Sequence, residues 1–176
     1  PSHWRFLFPT FGLCLGGGTE MILACTYRIA TDRRETKIGL PEVQLGILPG
    51  FGGTTRLPRL VGMRAALDLI LTGKPVDAKK AERIGLIDER VHPAILEQRA
   101  REAAKAIQGK REWPRESKVG VAGRLLETAP GRKVMLSQAR KKVMSETKGH
   151  YPAPLAALEV LEKTLSLSID ESLRLE

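Results

Sequence analysis

The chain has 176 residues, 42% of them hydrophobic and 28% charged, which supports a packed core and excludes a disordered or low-complexity polymer. Two cysteines, Cys14 and Cys25, cannot build a disulfide framework, and no Cys-x-x-Cys pair offers a zinc site, so a reducing compartment is expected. The balance of 29 basic to 20 acidic residues gives a net charge of +9, which by itself suits nucleic acid, an anionic membrane surface or a phosphorylated ligand.

The most apolar stretch, Phe6 to Thr19, is interrupted by Pro9 and four glycines and is too short for a bilayer-spanning helix. It does not follow the order of a signal peptide either. A chain that opens at Pro1 without Met is expected to be a processed product or a piece of something longer. Basic residues gather in 99–118 and 132–148, where glutamates interleave with them. Only 8 aromatic residues occur in the whole chain, with Trp113 alone in the first basic stretch, so no stacking platform for nucleic acid is expected.

Thr26 to Thr31 alternates and predicts a strand ending at the charged turn Asp32-Arg33-Arg34-Glu35. Lys37 to Leu40 predicts a second extended piece stopped by Pro41. Residues 46–53 hold four glycines in eight positions and predict a loop. Met63, Ala66, Leu67, Ile70 and Leu71 then form the stripe of an amphipathic helix closed by Gly73. Asp77 is placed to N-cap a helix over Ala78 to Ile84, with Gly85 as its stop. Leu86 to Val91 predicts a strand, and Pro93 opens a helix to Ile107. After a weakly patterned stretch over 108–131, helices are predicted from Val134 to Ser145 and from Leu155 to Leu167.

Two acids stand out chemically. Glu20 follows Gly16-Gly17-Gly18-Thr19; if a helix starts there, unpaired N–H groups and the macrodipole form an oxyanion-binding corner beside a carboxylate. The alternative is an ordinary glycine turn with a first-turn acid. Glu42 follows Pro41 among apolar neighbours, where a carboxyl's pKa rises toward the range useful for proton transfer; the alternative is an exposed loop acid. His3, His92 and His150 are scattered, without metal spacing, and suit surface or capping roles. No dinucleotide fingerprint, P-loop or nucleophile elbow is found.

Gly12-Leu13-Cys14-Leu15-Gly16-Gly17-Gly18-Thr19-Glu20 and Gly39-Leu40-Pro41-Glu42-Val43-Gln44-Leu45-Gly46-Ile47-Leu48-Pro49-Gly50-Phe51-Gly52-Gly53-Thr54 together resemble the signature of the enoyl-CoA hydratase/isomerase (crotonase) superfamily. Arg56 to Gly62, Leu71 to Lys74 and Ala81 to Asp88 continue the resemblance in order. Thr147 to Pro154 and the helix after them resemble the hydratase-to-dehydrogenase linker of multifunctional fatty-acid oxidation α subunits.

The resemblance implies an α/β fold, part of a crotonase-like ββα spiral followed by a helical C-terminal region. It divides the chain into an atypical segment 1–11, a crotonase-like core 12–107, a helical extension 108–149 and a linker helix 150–176 toward an absent dehydrogenase domain. The family has further residues before the Gly12 motif, and Arg5, two Phe and Pro9 replace an expected short strand, so an N-terminally truncated chain with a non-homologous start is expected.

By position, the resemblance makes Gly17 an oxyanion-hole donor to the thioester oxygen, Glu20 the residue that activates water, and Glu42 the acid that protonates the α-carbon. It implies hydration of 2-enoyl-CoA, with 3-enoyl to 2-enoyl isomerisation at the same site. It implies no metal and no cofactor apart from the coenzyme A thioester substrate. The implied partners are acyl-CoA, further copies of the chain and the thiolase subunit of a fatty-acid oxidation complex, in the cytoplasm or, in a eukaryote, the mitochondrion. A non-catalytic remnant or assembly module, and nucleic-acid binding through the basic face, remain the competing readings.

Overall fold

Proline lacks the N–H that a strand interior needs, so Pro9 was expected to break any strand it entered. In the computed structural model, which describes residues 6–108 and 127–176, it sits instead inside β1 (Leu7–Thr10). The reason is position: among the described residues β1 is the edge of a parallel sheet in which β3 (Tyr27–Thr31) lies between β1 and β6 (Glu89–Val91), so one flank of β1 makes no ladder bonds there. Pro9 pairs with Ile29 of β3, and Ile29 pairs in turn with Glu89 of β6. A second sheet sets β4 (Lys37–Gly39) between β2 (Leu13–Leu15) and β5 (Val76–Asp77), parallel to the first and antiparallel to the second.

The alternation expected of Thr26 to Thr31 is not what the fold uses, because β3 is covered on both faces. Ile29 packs with Val91 and Ala103 under α5 (Leu96–Ile107), while Ala30 belongs to the larger core on the other side. Arg28, the residue before Ile29, is wholly buried and makes a 2.6 Å ion pair with Asp88. The Arg28 N–H also donates to Asp88 Oδ2 at 2.8 Å, Nη1 donates to the Cys25 carbonyl at 2.8 Å, and the Asp88 N–H returns to the Arg28 carbonyl at 2.9 Å. Asp88 thereby locks the approach to β6, and the regular strand is shorter than the predicted Leu86 to Val91. Leu86 and Ile87 are buried as core side chains ahead of it.

The helical half follows the predicted punctuation. α3 (Met63–Thr72) ends at Gly73 in the left-handed region, and α4 (Ala78–Ile84) is capped by Asp77 Oδ1, which accepts from the Lys80 N–H at 2.7 Å, and closed by Gly85. His92 Nδ1 accepts from the Ala94 N–H at 3.2 Å, the capping role expected of it, and a 3-10 turn over Pro93–Ile95 precedes α5. α6 (Ala129–Thr147) exceeds the predicted helix at both ends, because Thr128 caps it and Pro130 is accommodated in the first turn, where no N–H is needed. The segment 150–176, read as one linker helix, holds two: α7 (Pro152–Thr164), which overlaps the predicted Leu155 to Leu167, and beyond it α8 (Ile169–Leu175), started by a Ser168–Glu171 capping box.

α7 lays Ala157, Leu158 and Leu161 into the main core with Leu57, Met63, Ile70 and Leu86, so this terminal segment is packed against the rest of the fold. Part of the basic surface is paired locally. Arg99 meets Glu89 at 2.8 Å, Arg101 meets Glu97 at 2.6 Å, and Arg140 of α6 meets Glu162 of α7 at 3.5 Å. Most of the 108–131 stretch lies outside the described residues.

Removing one partner of a buried pair leaves a desolvated charge. Asp88→Ala is therefore expected to destabilise the fold by about 3 kcal/mol or more, measured as a drop in the urea midpoint. A loss below about 1 kcal/mol, the range of exposed pairs, would contradict the assigned role.

Candidate active site

Between β2 and β4 the chain turns at Gly16 (φ 57°) and enters α1 (Gly17–Leu23). Thr19 Oγ1 stitches this corner together: it lies 2.6 Å from the Cys14 carbonyl and 2.8 Å from the Gly39 carbonyl, and accepts from the Gly39 N–H at 3.3 Å. The Gly16 N–H donates to the Gly39 carbonyl at 3.0 Å. Gly17, the first residue of the helix, faces open space where a Cβ would stand, and no hydrogen bond from its N–H is found among the described residues. That is the state expected of a helix-start donor awaiting an acceptor.

Glu20, in the first turn of α1, is buried, and its carboxylate is held by the start of another helix. Oε1 accepts from the Phe51 N–H at 2.7 Å and from the Gly53 N–H at 2.9 Å. Gly53 begins α2 (Gly53–Val61), so its N–H is one of the donors that a helix cannot satisfy internally. Only glycine fits there: a Cβ on residue 53 would lie 2.6 Å from Pro49 Cβ and 2.8 Å from Glu20 Oε1.

Glu42 sits on a 3-10 turn over Pro41–Leu45 and is also buried, not the exposed loop acid of the alternative reading. Burial pushes its carboxyl above the ordinary glutamate range; its own backbone N–H pulls the other way, and the nearby Glu20 carboxylate adds a further upward push. Among the described residues Oε2 is buried without a hydrogen-bond partner. Oε1 abuts the glycine corner, since a Cβ on Gly16 would stand 3.0 Å from it. Glu20, Glu42 and the start of α1 are thus gathered at one place.

The residues that hold the site were not foreseen individually. The Phe51 and Gly53 N–H groups fall in the stretch 46–53, read as a glycine-rich loop and as part of the family signature but not as the holder of Glu20; Gly53 is in fact the first residue of α2. Leu45, Ile47 and Phe51 are largely exposed along the same loop. No group of three His, Cys, Asp or Glu suited to a metal occurs among the described residues. A separate groove of about 420 Å³ between β1 and α5, lined by Pro9, Phe11, Leu96, Ala100 and Ala104 among others, contains neither glutamate.

Two neighbouring carboxyl groups in unlike surroundings, beside a helix start with a free donor, define a site suited to acid–base chemistry on a polarised carbonyl. The chain belongs to the enoyl-CoA hydratase/isomerase family, whose sequence model matches residues 10–148. It is 46% identical over 166 residues to the fatty acid oxidation complex subunit alpha of Vibrio parahaemolyticus, a match covering 94% of this chain and 23% of that protein. The chain therefore spans about a quarter of the length of that curated relative. Among solved structures, an enoyl-CoA hydratase from Bacillus anthracis superposes with a TM-score of 0.51 at 29% identity, covering 94% of this chain and 47% of that one. An enoyl-CoA hydratase from Mycobacterium tuberculosis, at 24% identity and TM-score 0.52, covers 91% of this chain and 60% of that one, and shows the shared fold. The fold is thus the crotonase-like α/β class expected from the sequence motifs.

The raised pKa of Glu42 has a definite sign in stability. Its neutral form is favoured by folding, so this stabilising contribution is full below the unfolded pKa, near 4.3, and is lost as pH rises through the folded value. Glu42→Gln is expected to exceed the parent in stability at pH 7, with the gap closing as pH falls below about 4, measured by urea unfolding across that range. A gap that widens toward acid pH would contradict this assignment.

Proposed function

We propose that this chain carries the hydratase site of a fatty-acid oxidation enzyme, adding water across the 2,3 double bond of a 2-enoyl-CoA thioester. The observation that carries the reading is the unequal treatment of two adjacent carboxyls. Glu20 has Oε1 held by two N–H donors and is oriented as an acceptor, suited to take a proton from water. Glu42 is pushed toward its neutral form and keeps a buried, unpartnered oxygen, suited to give a proton.

Water oxygen bonds to C3 as its proton passes to Glu20. The double-bond electrons move onto C2 and the thioester oxygen, and the proton of Glu42 bonds to C2. The N–H of Gly17 donates to the thioester oxygen while it carries negative charge. Exchange of one proton between the two glutamates and solvent restores the starting state.

The same reading covers the surroundings of the site. The reaction needs no resident cofactor, since acyl-CoA is itself the substrate, and part of the +9 charge serves the CoA phosphates. Leu45, Ile47 and Phe51 offer apolar surface to an acyl chain. In this reading the chain works within a fatty acid oxidation complex, as the name of its relative suggests, and acts in the cytoplasm with further copies of itself and a thiolase subunit. No helix among the described residues is long and apolar enough to cross a membrane.

The purified chain is expected to hydrate a short 2-enoyl-CoA, followed by loss of the conjugated thioester absorbance. Glu20→Gln and Glu42→Gln are each expected to lower kcat by about 10²- to 10⁴-fold with little change in KM. A folded parent without turnover, or either variant retaining the parental rate, would overturn the reading.

A further inference from the structure

The C-terminal segment, read from the sequence as a linker, touches both glutamate-bearing elements. At its start, the Tyr151 hydroxyl donates to the Val43 carbonyl, on the same 3-10 turn as Glu42. That carbonyl also receives the Gly46 N–H at 3.1 Å, and the Glu42 carbonyl receives the Ile47 N–H at 3.2 Å. The phenol therefore fastens the turn at the residue next to the acid.

At the other end, Glu176 follows α8 and reaches the N-terminus of α2. Its Oε1 accepts from the Thr55 N–H at 2.6 Å and from the Thr54 hydroxyl. Gly53, one residue before Thr54, is one of the two groups that hold Glu20. One helix start thus binds two carboxylates, Glu20 through its first N–H and Glu176 through its third. α8 is delivered to this place by Arg59 of α2, whose Nη2 lies 3.0 Å from the Thr164 carbonyl, 2.8 Å from the Leu167 carbonyl and 2.9 Å from Ser172 Oγ.

We propose that Tyr151 and Glu176 are positioning residues, forming a two-point clamp through which the C-terminal helices set the placement of Glu42 and Glu20 relative to each other. Neither touches the reacting atoms. Tyr151 acts through the Val43 carbonyl, and Glu176 acts through the first turn of α2. The clamp is a statement about the fold; its effect on turnover rests on the hydratase reading.

Amide hydrogen exchange on the full chain tests the clamp independently of activity, and hydration of a short 2-enoyl-CoA tests its consequence. In Glu176→Ala, exchange at Phe51, Gly53 and Thr55 is expected to quicken roughly tenfold, with Ile70 in α3 unchanged and Glu176→Gln, which keeps an acceptor oxygen, restoring protection. In Tyr151→Phe, exchange at Gly46 and Ile47 is expected to quicken while Gly53 holds. Both Glu176→Ala and Tyr151→Phe are expected to lower kcat about tenfold with KM within about twofold of the parent. Unchanged exchange at Phe51 and Gly53 in Glu176→Ala, or acceleration spread equally to Ile70, would overturn the clamp. If the parent itself shows no turnover, the hydratase reading falls, and the exchange data still decide the clamp.

Discussion

The start of α2 is the point on which the site turns. A nine-residue helix leaves its first N–H groups without internal acceptors, and here the Gly53 donor, with the Phe51 N–H before it, closes on Glu20 Oε1. Hydrogen bonds to a carboxylate are shorter and stronger than neutral ones, and the helix dipole favours the same charge. The bond fixes the distance from α1 to α2 and with it the course of the intervening loop. It also forces glycine at residue 53, because the carboxylate and Pro49 occupy the space a side chain would need.

Glu42 shows the opposite arrangement a short distance away. Its carboxyl is buried beside the negative charge of Glu20 on α1, and Oε2 finds no partner among the described residues. A fold selected for stability alone would satisfy or remove such a group. A well-held carboxylate thus stands beside one that burial pushes toward its neutral form, and the two identical side chains meet unlike surroundings.

Much of this was legible before the structure. Local chemistry was enough for α3, for Asp77 as a cap and for Gly85 as a stop, since those features depend on neighbours three or four residues away. Glu20, Glu42 and Gly17 emerged from motifs whose joint order is far more specific than any one of them. What escaped is what depends on distant partners. Arg28 looked like the polar position of an alternating strand, yet it is buried because Asp88, sixty residues later, neutralises it. Pro9 looked incompatible with a strand because nothing local says that β1 is an edge. Tyr151 stood out only as part of a linker-like motif and Glu176 not at all, since their hydrogen-bond partners lie 108 and 121 residues away.

Those long separations impose an order on the assembly of the site during synthesis. The donors for Glu20 are complete once Gly53 has emerged, but the Glu176 bond to Thr55 waits until residue 176 has emerged. At about 5–20 residues per second, a ribosome needs roughly 6 to 25 seconds to pass from one to the other. For that interval the start of α2 holds a single carboxylate, and the turn bearing Glu42 waits for Tyr151 to fasten it. The two acids therefore exist as a nascent, loosely set pair well before they become a matched one.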